Sequence, residues 1–192
     1  MSTSLEEKTA TIANLGSAFE CESNTQARYT AFAAKADADG WHGVASLFRA
    51  TARAEEIHSR NHMRAIRLLS GEAQSEIHPI EVASTLQNLK VALAGEQHEI
   101  DTMYPPFLNE ACAANVNAAI RCFTWAMEAE RTHASLFREA IEAVEEDLRE
   151  LWAGSPVEFN ICPVCGYTEQ VAEQDEHCPV CNTPRERFEI IL

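Results

Sequence analysis

Two short strings, Glu55-Glu56-Ile57-His58 and Glu130-Arg131-Thr132-His133, constrain the fold of this chain more than any other feature. Residues three apart on a helix project from one face, so each string offers a carboxylate and an imidazole to the same side. A single Glu-x-x-His in an acidic helical chain is ordinary surface decoration. Here each copy is preceded by a lone glutamate at nearly equal distance, Glu22 by 33 positions and Glu96 by 34, so two halves of the chain look alike. One Glu from each of two helices plus Glu-x-x-His from the other two is the donor set that holds two metal ions inside a four-helix bundle. Carboxylates converging in a bundle repel one another, and burial without partners costs several kcal/mol each, so divalent cations are the physical means of keeping them ionised. Glu99, three after Glu96 on the same face, adds a carboxylate beyond the minimal set.

The punctuation of the chain fits four long helices in an all-α bundle. Glycines and prolines gather at few places, and the stretches between them carry helical periodicity. The first helix is expected to open at Ser4, with Ser4 and Glu7 as a capping box, and to reach about Ala38, where Gly40 supplies a left-handed stop. The second covers about Trp41 to Leu69, and Ser70 to Ala83 is long enough to cross from one end of a bundle to the other. Ser84 with Gln87 caps a third helix to about Ala114, bent or split at Pro105 and Pro106. Asn115 or Asn117 starts a fourth that reaches about Trp152. The bundle is thus assigned to residues 1–153, a linker to 154–160 and a small second domain to 161–192.

That second domain is a segment of about thirty residues, too short to bury enough apolar surface unaided. Cys162-Pro163-Val164-Cys165 and Cys178-Pro179-Val180-Cys181 form two knuckles that present four sulfurs tetrahedrally to one ion. Tetrahedral sulfur suits zinc or iron alike, and a zinc ribbon would be a folding staple without redox role. Cys21, Cys112 and Cys122 are read as buried thiols acting as small apolar residues.

Composition narrows the partners. With 15 Lys plus Arg against 30 Asp plus Glu, the net charge of −15 repels phosphate backbones and anionic membrane surfaces, which excludes nucleic acid and membrane as expected partners. No run of eighteen apolar residues occurs, and Met1 to Gly16 lacks a basic stretch followed by an apolar one, so a cytoplasmic location is expected.

Cys-Pro-Val-Cys-Gly-Tyr at 162–167 followed by Cys-Pro-Val-Cys at 178–181 resembles rubredoxin, whose single iron carries one electron, with a shorter segment between the knuckles. Glu22, Glu55-x-x-His58, Glu96-x-x-Glu99 and Glu130-x-x-His133 ahead of that tail resemble the rubrerythrin family over nearly the whole chain. The strings Gln26-Ala27-Arg28-Tyr29, 94–99 and 103–107 fit as well, whereas Glu20-Cys21 departs from the small residues usual there. The resemblance implies a ferritin-like diiron bundle fused to a rubredoxin-like iron domain with Cys162, Cys165, Cys178 and Cys181 as ligands. It implies Glu55 and Glu130 bridging two irons, Glu22 on one, Glu96 with His133 on the other, and Glu99 alternating with His58 as the redox state changes. Zinc or manganese can replace iron in either site.

The activity so implied is reduction of hydrogen peroxide to water in oxidative-stress defence, with electrons relayed through the thiolate iron. The external donor would be rubredoxin or an NAD(P)H-dependent reductase on another protein, because Gly-x-Gly-x-x-Gly and the P-loop signature are missing from this chain. The resemblance also implies a homodimer in which the thiolate iron of one subunit serves the diiron site of the other, and the long crossover permits exchanged helices. Tyr29, seven after Glu22, and Tyr104 are read either as hydrogen-bond and proton partners of the ligand carboxylates or as core aromatics with satisfied hydroxyls. His62 is read as support, and His42, His78, His98 and His177 receive no role. The competing reading is a ferroxidase or iron-handling ferritin-like protein. A third is a binding module built on a zinc ribbon.

Overall fold

A computed structural model describes residues 5–148, 152–170 and 176–192. The expected cap at Ser4 lies outside the described residues. Five α-helices are present among them: α1 (Leu5–Ala38), α2 (His42–Leu68), α3 (Thr85–His98), α4 (Tyr104–Ala113) and α5 (Asn117–Glu145). A π-helical turn, Glu99–Met103, joins α3 to α4 with the backbone helical throughout, so the expected third helix runs on through a π turn instead of breaking at the prolines. Pro105 and Pro106 fall in the first turn of α4, where a missing N–H breaks no helical bond. The bundle is therefore α1, α2, the π-interrupted α3–α4 and α5, with residues 70–84 crossing its length.

Four helices end in the same way. Gly40 lies at φ +80°, Trp41 N–H donates to Ala36 O at 2.8 Å and Gly40 N–H to Asp37 O at 3.0 Å, which closes α1 in a Schellman turn. Ser70, Asn115 and Asp147, at φ +59°, +54° and +52°, close α2, α4 and α5 with the same pair of bonds. Asn115 is thus a stop, and Asn117 begins α5. Asp147 ends α5 well short of Trp152, contrary to the expected reach, because Leu148 N–H turns back to Ala143 O at 2.8 Å. Ser84 and Gln87 form the expected reciprocal capping box on α3.

Two apolar clusters fill the bundle, one on either side of its polar middle. Tyr29, Phe32, Phe48 and Phe137 interlock at centroid distances of 5.4–6.3 Å on one side. Tyr104, Phe107, Phe123 and His62 do so on the other. The chain then forms a three-stranded antiparallel sheet, β1 (Phe159–Ile161), β2 (Thr168–Gln170) and β3 (Glu189–Ile191), in the order β2-β1-β3. β1 begins inside the stretch read as linker, and its buried Phe159 and Ile161 join the core of the bundle beside Trp152. Arg53 of α2 grips Glu189 of β3 through two bonds of 2.7 and 2.9 Å, so the sheet is fixed against α2 by charge as well as by packing.

Candidate metal centres

α1, α2, α3 and α5 each turn a carboxylate to the middle of the bundle, and Glu22, Glu55, Glu96, Glu130, His58 and His133 are all buried there. The donors fall into two groups, each with its atoms within 4.8 Å of one another: Glu22, Glu55, His58 and Glu130, and Glu55, Glu96, Glu130 and His133. Glu55 and Glu130 belong to both. His58 Nδ1 lies 2.9 Å from Glu55 Oε2 and 2.8 Å from Glu130 Oε1, and His133 Nδ1 lies 2.6 Å from Glu130 Oε2. The opposite nitrogens point outward: His58 Nε2 is 3.0 Å from Cys165 O, and His133 Nε2 is 3.2 Å from Thr168 Oγ1 and 3.4 Å from Gly166 O. An Nε2–H donated to a carbonyl leaves Nδ1 free as a metal ligand.

The cluster is poorly satisfied by protein alone. Glu22 Oε2, Glu55 Oε1, Glu96 Oε2 and Glu99 Oε2 are buried without a hydrogen-bond partner. Burial, then the charge of Glu130 and the other carboxylates, pushes Glu55 well above the usual carboxylate range. Glu99 and Glu130 are raised in the same direction, first by burial. Burial acts to raise Glu22 as well, but the neighbouring imidazoles of His62 and His58 hold it down to about 2. Without cations the cluster must take up protons; with two divalent cations the orphaned oxygens gain ligands and the charge is balanced. The residues present fit that occupant.

Tyr29 donates its hydroxyl to Glu96 Oε1, and Tyr104 donates to Glu22 Oε1 with His62 Nε2 at 3.1 Å behind it. Both tyrosines are fully buried, and burial with the adjacent carboxylate pushes their pKa up, so each phenol keeps its proton. They touch the donor carboxylates and close the aromatic clusters at once.

The cysteines form the other centre. Cys162 and Cys181 Sγ lie 3.4 Å apart, and Cys165 and Cys178 Sγ 3.5 Å apart, with all four sulfurs within 4.8 Å. Each knuckle repeats one backbone pattern, with Gly166 N–H on Cys162 O at 3.0 Å and Asn182 N–H on Cys178 O at 2.9 Å. Hydrogen bonds from the Cys165 and Cys178 thiols pull Cys162 down to about 2, while Cys178 is pushed up to about 12. A thiophilic cation would hold the four sulfurs as thiolates.

The rubrerythrin family profile matches residues 13–141, and the profile for the rubrerythrin rubredoxin-like domain matches residues 161–189. The chain belongs to the rubrerythrin family. It is 33% identical to Rubrerythrin-2 of Clostridium acetobutylicum, over 91% of this chain and 93% of that one. It is also 33% identical to nigerythrin of Nitratidesulfovibrio vulgaris, over 95% and 89%. A structure of nigerythrin in a mixed-valence state superposes with a TM-score of 0.83 at 32% identity, covering 94% of this chain and 86% of that one. A bacterioferritin structure at 18% identity and TM-score 0.73 shares the ferritin-like fold. The carboxylate–histidine set is accordingly that of a diiron centre, and the four-cysteine set that of a rubredoxin-like iron.

Within this rubrerythrin fold, the donor residues singled out from sequence converge with one difference. Glu99, although only 2% exposed, stands outside both four-donor groups and accepts from Cys21 Sγ at 3.3 Å, while His58 faces Glu55 and Glu130. Cys165 and Gly166, whose carbonyls meet the two imidazoles, belong to the same chain. Of the remaining thiols, Cys122 is buried as expected, Cys21 is half-buried, and Cys112 is exposed on α4, contrary to its reading as a buried apolar residue. Gly166 and Thr168 escaped the sequence reading. A Cβ at Gly166 would collide with His58 Nε2, a requirement visible only once the knuckle is docked on α2. Among the described residues no helix is long and apolar enough to cross a membrane.

Proposed function

We propose that this rubrerythrin-family oxidoreductase is a peroxidase that converts hydrogen peroxide, two electrons and two protons into two waters. The observation that carries the reading is one pair of donor groups sharing Glu55 and Glu130, joined by hydrogen bonds to a four-cysteine knuckle. When bound, two ferrous ions supply one electron each at the carboxylate site and the thiolate iron replaces those electrons singly. Glu55 and Glu130, common to both donor groups, would hold both ions, with Glu22 and His58 completing one set and Glu96 and His133 the other. Glu99 is the alternate donor to His58: an anionic oxygen favours the ferric ion and a neutral imidazole the ferrous one. Its contact with Cys21 holds it in reserve while the imidazole faces the site.

Tyr29 and Tyr104 orient Glu96 and Glu22, each by donating its phenolic hydrogen bond to one oxygen of the carboxylate. The two aromatic clusters exclude water from either end, which keeps the electrostatics strong. The Cys165 carbonyl and His58 Nε2 form a link of 3.0 Å between the two donor sets. A division into a bundle of residues 1–153 and an iron domain of 161–192, an external electron donor and a homodimer complete the proposal.

The test is anaerobic stopped-flow mixing of fully reduced, iron-loaded protein with hydrogen peroxide and, separately, with oxygen, following the colour of the ferric thiolate. Fast return of colour with peroxide and slow return with oxygen is expected. A faster reaction with oxygen would replace the peroxidase with a ferroxidase, and a colourless four-cysteine centre after iron loading would end the relay.

A further inference from the structure

In a chain carrying −15, one groove is basic. It has a volume of about 540 Å³, lies where α2, α5 and the first knuckle meet, and is lined by Arg60, Arg64, Arg121 and Arg187 beside Trp125 and Val164. No carboxylate is among its described lining residues, and all four arginines are exposed. Arg60 donates to Pro163 O at 3.0 Å, which ties it to the knuckle, and the Arg121 guanidinium lies 5.6 Å over the Trp125 ring on the same helix. Arg67 continues the stripe along α2, since positions 60, 64 and 67 share one helix face. Trp125 and Val164 also pack on the sulfur cluster. The floor of the groove is thus the outer wall of the four-cysteine site.

We propose that this groove is the docking site of a small electron-carrier protein with an acidic face, which rests on the reading of the four-cysteine centre as an electron relay. Such a carrier is repelled by the acidic surface elsewhere and attracted where the arginines cluster, so the field itself orients it. Arginines spread over about 10 Å of helix match an extended acidic surface better than a single phosphate. Contact at Val164 brings the carrier to the residue between the first two sulfurs. One electron then leaves the carrier's reduced centre, which is oxidised by one unit, and reduces ferric thiolate iron to ferrous; no atom or proton is transferred.

The test uses isotope-labelled full-length protein with zinc in its metal sites, so that binding is read without turnover. The probe is an acidic free-standing rubredoxin, also zinc-loaded, titrated at low and at moderate salt and followed by amide and arginine side-chain resonances. Shifts are expected at Val164, Gly166 and the groove arginines, with binding weakening about tenfold between the two salts. Arg64→Glu with Arg187→Glu should weaken it at least about tenfold more, while the same pair changed to Lys retains it. Arg138→Glu, about 25 Å along α5 from Arg121, should leave it unchanged. Shifts confined to another face, or equal affinity in the charge-reversed protein, would overturn the proposal. So would NADPH moving the groove resonances while the rubredoxin does not, which would make the groove a nucleotide site. None of these results depends on peroxide turnover, so failure here and failure of the peroxidase reading are separable.

Discussion

Gly166→Ala tests whether the iron-domain knuckle sits on the diiron ligands in solution. Gly166 has φ +83°, and its missing Cβ leaves the space that His58 Nε2 occupies. Alanine adds a left-handed penalty of about 1–2 kcal/mol. It also forces the knuckle off α2, removing the hydrogen bonds of His58 to Cys165 O and His133 to Gly166 O, at about 1 kcal/mol each. The sum of about 3–4 kcal/mol corresponds to a fall in Tm of roughly 10 °C for a chain of this size. Asn182→Ala is the matched control, because Asn182 holds the same place in the second knuckle, has φ +60° and is exposed. It should lose only the backbone part, about 1 kcal/mol or roughly 3 °C. Thermal melts of the metal-loaded proteins read the difference, and stopped-flow return of the ferric thiolate colour reads the relay, which should slow at least about tenfold in Gly166→Ala alone. Equal melts and equal rates in the two variants would refute the docked knuckle.

Glu99→Ala should keep two metals bound yet slow reoxidation by peroxide, whereas Glu55→Ala should lose metal; identical reoxidation in wild type and Glu99→Ala, followed in the stopped flow, would remove the alternating-ligand role. Tyr104→Phe deletes the donor to Glu22 and should cost about 1.5–3 kcal/mol in urea unfolding of the zinc-loaded protein, against under about 1 kcal/mol if the phenol is only a core aromatic. In metal-free protein the raised pKa values of Glu55, Glu99 and Glu130 mean that the folded state binds protons the unfolded state has released. Their contribution to stability is therefore full below the ordinary carboxylate pKa of 4.5 and declines as pH rises above it. Melts of chelated protein between pH 5 and 8 should fall with rising pH, and bound zinc should reverse that slope because the metal needs the deprotonated oxygens; a flat profile without metal would contradict the burial argument.

What the sequence disclosed was chemistry carried by local spacing. The two Glu-x-x-His strings, the lone glutamates and the Cys-x-x-Cys pairs each need only a helix or a tight turn to act, so the donor groups were legible before any contact was known. Helix ends were less so. Gly40 announces a left-handed stop by its identity, but Ser70 and Asp147 adopt the same conformation without that signature, and Asn115 resembles a start as much as a stop. Missing Asp147 is what carried the fourth helix too far. Gly166 was illegible for a different reason, since its need for a bare Cα arises from an imidazole on another helix.

The π turn shows how far the internal repeat governs the site. Glu22 to Tyr29 spans 7 positions and Glu96 to Tyr104 spans 8, while Tyr29 to Glu55 and Tyr104 to Glu130 both span 26. The one-residue difference between the halves therefore lies between Glu96 and Tyr104, where Glu99–Met103 is wound as a π turn. A π turn absorbs one extra residue while the chain stays helical, so Tyr104 returns to the face that Tyr29 occupies in the first half. The result is a reciprocal pair, with Tyr29 of α1 on Glu96 of α3 and Tyr104 of α4 on Glu22 of α1. Had the segment continued as regular α-helix, the extra residue would have rotated Tyr104 by about 100° away from Glu22. The inserted position thus lets the second half carry Glu99 on a widened turn while keeping the phenol that orients the opposite carboxylate.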